Sequence, residues 1–264
     1  MSKADGFFHI GDVFATEVHR NYLYFVLEVN VAWLDRQRAA ARKNGTQAPS
    51  YTAFAVHAVG NALRDHSDLN CMICELPFFR GLRALDEISA TVAVEREIDG
   101  VDMVLALPIR HVDRMSLEEV HAQLKRMTDD EVTARAEVRQ LLSLNTLARY
   151  SPLLAGLVTK LPRLSKDMWQ KYRGGSFVVT SPGKYGGADV IIPTWPWPLT
   201  FAFGSIKPRP VVEAGAVVAR NTMRITLAVD RRLANGAPLA RFAERVRELL
   251  EGNEGGPGSV DRVD

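Results

Sequence analysis

Residues 22–31, YLYFVLEVNV, are dense in aromatic and β-branched side chains and predict a strand. A basic helix over 33–44 follows and stops at Asn44-Gly45. The next helix, 53–65, turns Phe54, Val56, Val59, Gly60 and Leu63 to one side, with Ser50 or Thr52 placed to cap it. Residues 88–95 alternate as a strand, 97–100 form a polar turn, and 102–109, DMVLALPI, form a buried strand. Ser116 opens a charged helix running to about residue 147, with Glu118 and Glu119 in its first turn, where they favour the helix dipole. Its most charged part, 128–139, is a solvated face. Further on, 225–229 is a strand. The dipeptide Asn235-Gly236 marks a turn that tolerates left-handed backbone. Leu239, Phe242, Val246, Leu249 and Leu250 then recur at helical spacing. Residues 1–20 enter as a short helix or arm.

Composition narrows the class. A chain of 264 residues, 47% apolar and 24% charged, can bury a large core. A net charge of +2 gives no reason to invoke nucleic acid or an anionic membrane. The start of the chain has no secretory-signal pattern, and the greasy stretch 150–164 is broken by Pro152, Lys160 and Pro162. Two cysteines make no disulfide scaffold, so a reducing cytoplasm is expected. Cys71 and Cys74 have no second pair and no histidine at ligand spacing; packing is their expected role, and no metal is expected. The tail, 252–264, is Gly-rich and charged and is expected to be disordered.

Four stretches carry a resemblance. Asp230-Arg231-Arg232-Leu233-Ala234-Asn235-Gly236-Ala237 leads into Ala240-Arg241-Phe242. Residues 174–183 read GGSFVVTSPG, 200–210 read TFAFGSIKPRP, and 105–113 run into Met115-Ser116-Leu117. Together with Asp68-Leu69-Asn70, these resemble the catalytic domain of the 2-oxoacid dehydrogenase (dihydrolipoamide) acyltransferases, relatives of chloramphenicol acetyltransferase. The resemblance implies an α/β (α+β) two-layer sandwich, a mixed sheet with helices on one face, assembled as a homotrimer with a channel at each subunit interface. It implies one catalytic domain over 1–251, with 148–173 as a divergent insertion. That insertion is expected to be a helical hairpin packed on the body, or else a lid over an acyl substrate. The sequence shows neither a lipoyl domain nor an apolar C-terminal anchor, so a stand-alone protein with no lipoyl attachment is expected.

The chemistry implied is acyl transfer from acyl-CoA or another acyl thioester to a small-molecule hydroxyl or thiol. Such transfer needs a base for the acceptor and donors for the oxyanion. By resemblance Thr180 falls at the oxyanion-donor position, with Ser181 beside it, and Asn235 stands where the family usually has Asp. Arg231 stands where the family has its catalytic histidine, and a guanidinium cannot take a proton at neutral pH. Three accounts stay open. The chain is a catalytically inactive trimer serving as a ligand-binding or scaffold protein. Or the base has moved, with His19, His57, His66, His111 and His121 available, His111 and His19 foremost. Or Arg231 grips an anionic group in a bidentate fork. Lys207 and Arg209, with Ser181, are the candidates for binding coenzyme A.

Overall fold

A computed structural model of the chain describes residues 22–76, 79–98, 101–129, 136–194 and 196–253. Six strands form a mixed sheet in the order β1-β8-β7-β6-β4-β5. They are β1 (Tyr22–Asn30), β4 (Ala90–Ile98), β5 (Val101–Ile109), β6 (Phe177–Thr180), β7 (Leu199–Glu213) and β8 (Ala216–Asp230). β6 runs parallel to both β4 and β7, and the other neighbours pair antiparallel. A separate hairpin joins β2 (Cys71–Leu76) to β3 (Phe79–Ala84).

Strand alternation explains the layering. On β8, Met223, Ile225, Leu227 and Val229 enter the main core, as do Leu199, Phe201 and Phe203 of β7 and Phe177 and Val179 of β6. Helices α1 (Ala32–Lys43), α2 (Tyr51–Asp65), α3 (Leu117–Asp129) and α7 (Gly236–Glu251) lie over that face. Phe54, Val56, Val59 and Leu63 of α2 meet Leu239, Phe242 and Val246 of α7 in the same core. Each such side chain contributes about 1.5–3 kcal/mol by leaving water. The alternate residues, among them Thr180, Ala202, Thr226 and Asp230, belong to the sheet's other face.

Caps fix the helix starts. Ser50, not Thr52, caps α2: its hydroxyl accepts from the Ala53 N–H at 3.1 Å. Ser116 and Glu119 form a reciprocal box at the start of α3, 3.2 and 2.7 Å. The single long helix expected from Ser116 is described as two, α3 and α4 (Ala136–Tyr150), on either side of residues outside the description. Residues 152–172 form α5 (Pro152–Lys160), a 3-10 turn (Leu161–Leu164) and α6 (Lys166–Tyr172). Trp169 packs the segment against Met72 and Leu85 of the body. Trp169 is buried and donates Nε1–H to the Gly175 carbonyl at 3.1 Å, and Arg173 donates to the Thr159 carbonyl at 2.8 Å. Desolvation, with Arg163 nearby, lowers the Arg173 pKa to about 10.

The turn after β8 departs from expectation. Asn235 has φ −70° and ψ 168°, an extended N-cap residue of α7, and Gly236 is not among the glycines with positive φ. The dipeptide starts the helix without left-handed backbone, five residues after β8 has ended. Left-handed glycines sit instead at Gly45, Gly174, Gly215 in the β7–β8 turn and Gly252 after α7. The arm at 1–20 and the tail from 254 onward fall outside the described residues.

Candidate active site

The strand β8 delivers Asp230, Arg231 and Arg232 to one end of the sheet, where the chain turns into α7. Asp230 is buried, and Arg232 clamps it: Nε to Oδ1 at 2.9 Å and Nη2 to Oδ2 at 2.6 Å. The Arg232 backbone N–H also donates to Oδ1, at 3.0 Å. Arg231, between them, is exposed, and no hydrogen bond or ion pair of its guanidinium is found among the described residues. Asn235 is exposed too, and its side chain makes no capping bond.

Thr180 closes β6, half-buried, on the face away from the main core. Its position depends on glycines. Gly174 has φ +76°, and a Cβ there would stand 2.5 Å from the Pro108 side chain. A Cβ on Gly183 would run into the backbone of Gly204 and Ser205 on β7. The segment after Thr180 therefore lies flat on the neighbouring strand. Ser181 follows Thr180 directly and precedes a short 3-10 turn, Pro182–Tyr185, without capping it.

Register separates these groups within one chain. Thr180 pairs with Ala202, and Ala202 with Thr226. Asp230 lies four residues beyond Thr226 on a strand two places away, so roughly 17 Å separates it from Thr180 at ordinary strand spacings. One copy does not bring Arg231 to Thr180.

The histidines are dispersed. His111 follows β5 in a left-handed conformation, φ 53°, with Nε2 3.1 Å from Glu87, which also holds Arg110 at 2.6 Å. β5 is four places from β8, roughly 19 Å across the sheet. His57 contacts Asn61 at 3.2 Å, and His66 meets the Phe242 ring edge-on at 5.9 Å. His121 accepts from the Ser50 N–H through Nδ1 at 3.4 Å. Its pKa is lowered, first by burial and then by Lys125 and Arg38. His19 lies outside the described residues.

The structure gives Arg209 another role than phosphate binding. It is buried, donating to the Thr222 carbonyl and hydroxyl, both at 2.9 Å, and to both Asp189 oxygens at 2.9 and 3.2 Å. Arg224 reaches the same Asp189 at 3.2 Å, and Thr222 donates to Glu28 at 2.6 Å. This network ties β1, β7 and β8 to the segment carrying Asp189, and it consumes the guanidinium. Its partners are distant in sequence, so motif reading could not find it. Lys207 differs: its ammonium donates to the Gly187 carbonyl at 3.0 Å and stays accessible. Cys71 and Cys74 are both buried and free, and burial raises the Cys71 pKa. Trp197 packs beside Trp169 and donates to the Arg173 carbonyl at 3.2 Å, whereas Trp195 lies outside the described residues.

Sheet order and layering define the class as a chloramphenicol acetyltransferase-like α/β sandwich. Chloramphenicol acetyltransferase itself superposes with a TM-score of 0.51 at 13% identity, over 90% of this chain and 94% of its own. The family model "2-oxoacid dehydrogenases acyltransferase (catalytic domain)" matches residues 158–255. The chain is 27% identical to the dihydrolipoyllysine-residue acetyltransferase component of the Acholeplasma laidlawii pyruvate dehydrogenase complex, over 76% of its length. It spans 30% of that relative's length. The Azotobacter vinelandii dihydrolipoamide acetyltransferase superposes with a TM-score of 0.60 at 21% identity, over 91% of this chain and 88% of its own. That enzyme was probed for the roles of a serine, a histidine and an asparagine in its mechanism. Family model, relatives and folds point the same way: residues 158–255 match the acyltransferase catalytic-domain model, and the chain has the fold of these acyltransferases.

Proposed function

We propose that the chain exchanges acyl groups between thiols, in a channel completed by a second copy within a homotrimer. The observation that carries this reading is Arg231: exposed, with no partner for its guanidinium among the described residues, at the position where the resemblance puts the base, and beside an Asp230–Arg232 pair that saturates itself. An alcohol acceptor needs a base to become a nucleophile, and Arg231 cannot serve as one. A thiol does not share that need. Its pKa of about 8.5 leaves a few per cent thiolate at neutral pH, and a neighbouring guanidinium raises that fraction. The acceptor class therefore narrows from hydroxyl or thiol to thiol.

In the step proposed, the acceptor thiolate, held by Arg231, attacks the carbonyl carbon of the donor thioester. The carbonyl electrons move onto oxygen, where the Thr180 hydroxyl of the neighbouring copy donates a hydrogen bond to the oxyanion. Collapse breaks the donor carbon–sulfur bond, and the departing thiolate takes a proton from water. Asn235, the N-cap residue of α7, ends the loop that presents Arg231. Acyl-CoA is the proposed donor, as the resemblance implies, with Lys207 and Ser181 proposed to meet its phosphates.

The test is thiol release from acetyl-CoA with dihydrolipoamide and with alcohol acceptors. Turnover is expected with the dithiol alone, rising with pH along the acceptor's ionisation, and Arg231→Gln shifts that profile to higher pH. Activity with alcohols that survives Arg231→Gln but is lost in His111→Ala would support a relocated base instead. Coenzyme A binding without turnover by any acceptor would support the inactive, ligand-binding relative.

A further inference from the structure

The helix α5 is built inside out. Ala155 and Thr159 face the body and are buried, with Ala155 packed on Ala148 of α4. The large side chains point the other way: Leu153 is 91% exposed and Leu157 60% exposed. Leu154, Leu161 and Leu164 continue this ridge through the 3-10 turn. An ordinary surface helix buries its leucines and exposes its small and polar residues. Tyr150 and Tyr172, both exposed, stand at either end of the segment.

Charge around the ridge is one-sided. Residues 148–173 hold six Lys or Arg and one Asp in a chain whose net charge is only +2. Arg163 is buried and Arg173 half-buried. Arg149, Lys160 and Lys171 are exposed, and Lys166 is partly so, bridged to Asp86 at 2.7 Å. Lys160 follows Leu157 by one helical step and precedes Leu161 directly.

We propose that α5 and the 3-10 turn after it dock the protein on an anionic lipid surface, leucines in the acyl boundary and cations among the headgroups. Exposed apolar side chains rimmed by Lys and Arg, with tyrosines at the margin, are the features of an interfacial helix. A soft bilayer accepts exposed leucines without requiring a complementary groove. A two-fold-related second copy is a poor occupant, because facing ridges would bring Lys160, Arg149 and Lys171 against their own copies. No helix among the described residues is long and apolar enough to cross a membrane, so the contact is peripheral. The inference is independent of the chemistry proposed for Arg231.

The full chain is sedimented with vesicles of phosphatidylcholine alone and of phosphatidylcholine mixed with phosphatidylglycerol. Co-sedimentation is expected with the mixed vesicles only, weakening with salt. A Leu153→Ser/Leu157→Ser double variant lowers it by about tenfold or more, and Lys160→Glu also weakens it. Both leucines are exposed, so the double variant keeps its fold, which circular dichroism verifies. Absence of wild-type binding to anionic vesicles overturns the proposal, as does equal binding by the double variant. So does self-association of the wild type that the double variant loses while neither binds vesicles, a result that assigns the ridge to a second copy.

Discussion

Arg232 closes on Asp230 through a two-point contact at 2.9 and 2.6 Å, spanning the residue between them. The pair locks the turn at the end of β8, and the intervening Arg231 is exposed, its guanidinium without a partner among the described residues. A structural pair and an exposed cation sit on three consecutive residues, and substitutions there should separate stability from activity.

Arg232→Ala leaves the Asp230 carboxylate buried without its partner. The expected loss is about 2–3 kcal/mol, below the ~3–5 kcal/mol of a fully buried pair because Arg232 is a third exposed. Urea unfolding measures it, and a loss under about 0.5 kcal/mol would mean the pair does not hold the turn.

Arg231→Gln is expected to leave the melting temperature within about 2 °C of the wild type while reducing acyl exchange. A large drop in melting temperature would assign Arg231 a structural role instead.

Gly183→Ala forces a Cβ into the backbone of β7, where nothing flexible can yield. We expect a loss of about 2–4 kcal/mol and displacement of the segment that follows Thr180. Thermal melts compared with Gly187→Ala, where a Cβ meets open space, isolate the steric cause.

His121 links stability to pH. Burial, with Lys125 and Arg38, lowers its folded pKa, so the unfolded chain binds the proton more readily. Its contribution is complete above about pH 6.5, and is lost as pH falls through that value toward the lowered folded one. His121→Asn keeps an acceptor for the Ser50 N–H and cannot titrate. Unfolding free energies at pH 7.5 and 5.5 should differ less in the variant than in the wild type.

Much of this architecture is legible in the sequence. The strands at residues 22, 88 and 102 and the helices at 53 and 236 follow from apolar spacing, because each buries one face against one core. β8 begins at Ala216, well before residue 225, since its first half is exposed on both faces and carries no alternation. β3, with Gly81 between Arg80 and Arg83, gave no strand signal either. Composition hid α5, whose leucines read as core and point outward. The Arg209–Asp189 network stayed invisible for another reason: pairing over 20 residues depends on how the segment crosses the sheet. Motifs singled out Thr180 and Arg231 as candidates, but their separation in one chain is a matter of register.

That separation supplies the most direct test. Thr180→Ala and Arg231→Gln are each prepared as an exchange-deficient protein, then unfolded, mixed in equal amounts and refolded together. If the channel joins Arg231 of one copy to Thr180 of its neighbour, mixed trimers regain one intact site. Acyl exchange from acetyl-CoA to dihydrolipoamide should then return to about a quarter of the wild-type rate. A mixture no more active than either variant alone would contradict the account.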